Sequence, residues 1–125
     1  MNWKGIYMHL TDSGYDTYPI GSHKGECHAP YIVLRDNGAV IRQSLTGREY
    51  ELLLYYPVDR YAEFEDYISG VKRTMNALFP TLRLVDDEQP HYLDDEVKAY
   101  MTSLIYVCYQ QHNINRLERI DLNGN

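Results

Sequence analysis

The sequence predicts an α+β fold, a small and mostly antiparallel sheet with one long helix packed on one face. The other face of the sheet is left for contacts with other subunits. Three observations predict this. Glu49–Tyr56 is an apolar run of strand length, closed by Pro57. Residues 60–78 carry Tyr61, Phe64, Ile68, Val71, Met75 and Leu78 at steps of three and four, one stripe of a helix. Residues 97–110 alternate over a strand that is largely apolar on both faces.

The element around residue 50 sets the rest. Tyr50, Leu52, Leu54 and Tyr56 share one face, and Leu53 and Tyr55 make the opposite face apolar too. A strand apolar on both sides is a central one, covered above and below. Asp59 is the expected N-cap of the helix and Pro80 its stop. Glu63, Glu65 and Asp66 precede Lys72 and Arg73, the order the helix dipole favours. At about 1.5 Å per residue such a helix is roughly 28 Å long and crosses a small sheet.

From the N-terminus, Met1–Leu10 holds Trp3, Ile6, Tyr7 and Leu10. The spacing is helix-like but short, and a single turn or a pairing arm is expected. Tyr18-Pro19-Ile20 is extended, because a residue before proline avoids the helical region. A polar loop follows to His28. Pro30–Arg35 is a strand, ended by the turn Asp36-Asn37-Gly38. Ala39–Arg48 is expected as a long, partly extended loop. Thr81–Val85 is a short strand, and Asp86–Glu96 an acidic connection. In residues 97–110, Tyr100, Thr102, Leu104, Tyr106 and Cys108 form one face, and Tyr109 lies on the other. The chain reads as one domain over residues 1–125, with an N-terminal arm at 1–17 and a tail at 112–125. Ile114, Leu117, Ile120 and Leu122 make that tail weakly amphipathic.

One helix covers one face. The uncovered face would be an apolar patch of the kind that marks association. Thirteen tyrosines against two phenylalanines suit an assembly surface, since tyrosine buries a large ring yet tolerates a wet edge. Tyr50, Tyr55, Tyr56, Tyr100, Tyr106 and Tyr109 are the candidates for that exposed or shared surface; the alternative places half of them in the core. Arg42 and Arg48, in the expected long loop, are the candidates for docking a partner.

The formal net charge of −6 argues against gripping phosphate backbones by bulk charge. No apolar run approaches the roughly 20 residues of a membrane span, and no membrane partner is expected. Two cysteines make no disulfide framework, so an intracellular origin is the simplest reading. His23, Cys27 and His28 form the one metal-like cluster. Their spacing matches no zinc finger, and a fourth ligand would come from afar, Cys108 or His112. The acidic residues around 86–96 lack the order of a calcium loop and read as a solvated turn. No metal, cofactor or catalytic residue is therefore assigned, and the chain is read as a non-enzyme.

The segment Tyr18–Val33, with its Pro30-Tyr31-Ile32-Val33 strand, precedes a Leu/Tyr-rich strand, a helix ending Leu78-Phe79-Pro80, and an acidic turn before Val97–Met101. In element order over residues 15–110, this layout resembles the tail-terminator (tail-completion) proteins of the neck of tailed bacteriophages, prophages and phage-tail-like bacteriocins. The resemblance implies a virion or tail-like particle assembled in the bacterial cytoplasm. It implies a structural subunit in a ring, hexameric in that family, that ends the tail tube and joins it to the neck or collar. Partners would be other copies, the tail tube, and sheath or head–tail connector proteins. DNA would pass through the ring without specific binding, and a negative lumen wall would help it slide. Members often carry an N-terminal helix of several turns, which Met1–Leu10 is too short to supply. Two alternatives stay open: another neck or baseplate subunit, or a small metal-dependent or thiol enzyme built on His23, Cys27 and His28.

Overall fold

Alternation in the middle of the chain propagates further than its apolar run. In a computed structural model that describes residues 1–42, 45–85 and 89–110, the side chains of 42 and 110 excepted, the central strand β3 runs Leu45–Pro57. It pairs antiparallel on one side with β2 (Tyr31–Arg42) and on the other with β6 (Ala99–Gln110). β1 (Thr17–Pro19) adds to β2 in parallel, and β4 (Arg83–Leu84) and β5 (Tyr92–Asp94) both pair β6. The result is an α+β fold with a mixed six-stranded sheet, order β1-β2-β3-β6-β4, and two helices.

Two of these features correct the sequence reading. The sheet is mixed, because the residues between Pro19 and Tyr31 bring the chain back to start β2 beside the start of β1. The described residues hold two helices. α1 (Trp3–Asp12) occupies the segment expected as an arm, and α2 (Tyr61–Asn76) is shorter than the expected span 60–78. Asn2 caps α1, its side-chain oxygen accepting the Gly5 N–H at 2.9 Å. Ile6 and Leu10 are fully buried in the same core as α2's Phe64, Ile68, Val71 and Met75. The Trp3 indole N–H donates to the Leu34 carbonyl at 2.7 Å, and His9 Nε2 donates to the Thr74 carbonyl at 2.8 Å. The N-terminal segment thus folds on its own subunit rather than across a neighbour. A helix this short is marginal alone, and tertiary burial holds it.

The long loop expected over Ala39–Arg48 is also corrected. β2 and β3 are paired from Tyr31↔Tyr55 out to Arg42↔Leu45. Asp36-Asn37-Gly38 is a register shift inside β2 rather than its end. Gly38 sits at φ 95, and the Asp36 carboxylate accepts the Gly38 N–H at 2.8 Å. Glycine reaches that conformation without a Cβ penalty, so the strand bulges and continues. Asp59 is not the cap of α2. It sits at φ 74 in the preceding turn, and Arg60 holds the cap position with no side-chain bond to the helix. β5 lies inside the expected acidic connection. The tail at 112–125 lies outside the described residues.

Both helices pack on the face that carries Ile32, Leu34, Tyr50, Leu52, Leu54, Leu104 and Tyr106. Each such side chain, fully buried, contributes about 1.5–3 kcal/mol. Gly70 of α2 makes room there, since a Cβ would meet the Tyr15 hydroxyl at 2.9 Å. Its partner is thus a side chain of the α1–β1 connection rather than the sheet.

Candidate functional site

The site is the face that neither helix covers. Strand parity assigns its members, and register aligns them into rows. One row crosses the sheet as Tyr31↔Tyr55↔Met101↔Tyr92. The next is Tyr18↔Val33↔Leu53↔Ser103. A third is Arg35↔Glu51↔Ile105. Val33, Leu53, Tyr55, Met101 and Ile105 remain partly exposed, and Tyr92 is 59% exposed.

The row at Tyr31 is an aromatic stack. Tyr31 lies between two rings: Tyr55 at 4.6 Å, with 10° between planes, and His23 at 3.6 Å, with 9°. Tyr18 meets both Tyr31 and His23 edge-on, at 5.9 and 5.1 Å. Burial, then neighbouring Tyr55, raises the Tyr31 phenol well above its ordinary range. Burial, then Asp94, raises Tyr55. Both rings stay neutral through the physiological range, as a packing surface requires. Toward the β2–β3 hairpin the face turns polar. Arg35 bonds Glu51 at 2.7 Å and Asn37 at 2.9 Å, and Asn37 also donates to Glu49 and Glu51.

The six tyrosines expected on this face divide. Tyr50 and Tyr106, at 2% and 3% exposure, are core of the helix-covered face. Tyr56 and Tyr100 also lie on that side, against Phe64 of α2. Tyr56 additionally donates to Glu63 at 3.3 Å. The even register of these four places them on the helix side of the sheet. Tyr55 and Tyr109 lie on the open face, with the Tyr109 ring against Gly47, where a Cβ would stand 3.0 Å from it. Arg48 is in β3 and bonds both Asp36 carboxylate oxygens at 3.1 and 3.2 Å. The Arg42 backbone ends β2, and its side chain lies outside the described residues.

The metal-like cluster does not converge. Cys27 is buried beside Tyr31 and Ala99, at the end of the open face, and its thiol donates to the Ala29 carbonyl at 3.3 Å. Burial pushes that thiol up to about 11, so it is protonated at neutral pH. Cys108 packs against the helix-side core, across the sheet. His112 lies outside the described residues. Among the described residues no three His, Cys, Asp or Glu side chains gather as a metal site.

Sequence reasoning missed Tyr31, Tyr18 and His23. The signal was present in the parity of Pro-Tyr-Ile-Val, which puts Tyr31 and Val33 opposite Ile32. No helix of the described residues is long and apolar enough to cross a membrane. The chain matches no protein-family model and no curated protein.

Proposed function

We propose that this chain is a non-enzymatic structural subunit of a phage tail or tail-like particle. It closes into a ring, six copies on the resemblance given above, that ends the tail tube and joins it to the neck or collar. The observation that carries the reading is the open sheet face, with its partly exposed apolar rows and its stacked aromatic end. Apolar surface of that kind is stabilised by a neighbour. α1 supports it further, supplying the several-turn N-terminal helix that members of that family often carry. The net charge of −6 suits a channel through which DNA slides. The protonated, buried Cys27 disfavours the thiol-enzyme alternative.

The test is imaging of particles that carry a tagged copy. The expected result is a rotationally symmetric ring at the upper end of the tail. A single copy, or a position without rotational symmetry, rejects the reading. The double variant Leu53→Asp/Met101→Asp is expected to fold as a monomer and to lose the ring, because both changes fall on the open face.

A further inference from the structure

A groove of about 820 Å³ lies at the hairpin end of the sheet. Tyr50, Cys108, Tyr109 and Pro80 line it, together with Arg48 and Arg83. Among the described residues its lining holds two arginines and no acidic residue, in a chain of net charge −6. Arg48 is shared with Asp36. Arg83 is exposed, lies over the Phe79 ring at 5.5 Å, and has no ion-pair partner among the described residues.

The opposite character is found at the other end of the same strand. β5 and the turn after it present Tyr92 and Leu93, 59% and 57% exposed, next to exposed Asp95 and Glu96. β5 pairs Ala99–Met101, whereas the groove is lined by Cys108 and Tyr109. From Ala99 to Cys108 is about 30 Å at roughly 3.3 Å per residue. One copy cannot bring its own β5 turn to its own groove.

We infer that the β5 turn of one copy seats in the groove of the next, apolar Leu93 on the lining and Asp95 and Glu96 toward Arg83 and Arg48. The occupant is a second copy of this chain, and charge complementarity together with the exposed Leu93 selects it. A contact between two different surfaces at opposite ends is head-to-tail, so it either closes into a ring or grows as a filament. The inference deepens the ring reading and rests on it for its biological setting, but the contact is testable without any particle.

Native Cys108 lines the groove, so it serves as the probe. In the full-length Leu93→Cys protein, diamide is expected to link the introduced thiol to Cys108 of another copy. Because each copy has one turn and one groove, the products form a series of dimers, trimers and higher multiples, lost in Leu93→Cys/Cys108→Ser. Adding Arg83→Glu leaves the Asp36–Arg48 pair intact and is expected to cut the yield by about tenfold, with Glu96→Arg restoring it. Mass spectrometry identifies the linked residues. Linkage of the introduced thiol only to itself, which stops at a dimer, overturns the inference; so does no linkage at all. A ring seen in particles without a 93–108 link removes this contact and leaves the ring. A 93–108 series with no symmetric ring in particles removes the ring and leaves the contact.

Discussion

The two faces of this sheet are built from the same strands and the same residue types, yet they are covered differently. On one, Leu52 and Leu54 are fully buried under α1 and α2. On the other, Leu53, one position along, remains partly exposed beside Tyr55 and Met101. Hydrophobicity is equal and burial is not. The burial that stabilises the fold therefore resides on one side, and the other is the side left to the proposed association. Because strand side chains alternate, a single residue step separates a change that unfolds the protein from one that only isolates it.

The largest effect that tests this contrast is the pair Leu52→Ala and Leu53→Ala. Urea unfolding is expected to show a loss of about 3–5 kcal/mol for the first, as for core leucines. For the second it is expected to show about 1 kcal/mol or less, since little transfer free energy is lost from a partly wet site. Equal losses would mean the open face is core. Next is Ile6→Ala, expected to lose about 2–4 kcal/mol in monomeric protein. An N-terminal helix that served only a neighbour would leave monomer stability unchanged.

Alkaline pH gives a smaller and separable effect. Burial pushes the Tyr106 phenol, on the covered face, up to about 12 from its ordinary 10. Above the ordinary value the unfolded chain loses a proton that the native chain keeps, so stability falls as pH rises. The contribution is whole below pH 10 and is lost progressively between 10 and 12. Tyr106→Phe is expected to flatten that part of the stability–pH curve, measured by urea midpoints at each pH. The smallest effect is expected for Arg35→Ala, which removes the open-face pair with Glu51. Exposed pairs of this kind contribute about 0.2–1 kcal/mol, and added salt should shrink the difference between variant and parent.

The strand–helix unit was legible because its signals were redundant. Tyr50, Leu52 and Leu54 alternate, and Phe64, Ile68, Val71 and Met75 recur at helical spacing, all of them now buried. Which face the helices would take was not legible, because both faces of β3 and β6 are apolar. Six tyrosines were therefore candidates for one surface, and four of them lie on the helix side. The spacing Trp3, Ile6, Tyr7, Leu10 was already helical. Its shortness argued against it, and the partners that rescue it, Leu34 and Thr74, are distant in sequence. Asp36-Asn37-Gly38 has the composition of a turn. Only the pairing of Val40 and Ile41 with Gly47 and Thr46 shows that the chain runs straight through it. The candidate site was legible as a surplus of apolar surface, whereas the His23–Tyr31–Tyr55 stack depends on a loop folding back over β2.

The division of β6's outer edge between two short partners has a consequence for the chain as it is made. A bare edge of 12 residues is a template on which another chain can add a strand, and from there a fibril can grow. Here β4 takes two residues at one end and β5 three at the other. Between them the Val85 N–H bonds the Ile105 carbonyl, and the Thr102 hydroxyl bonds the carbonyls of Gln89 and Pro90. An incoming strand meets no continuous register along that edge. At the β6 edge a second chain then meets side-chain surfaces of defined shape rather than a run of free backbone groups, and a fibril finds no start there.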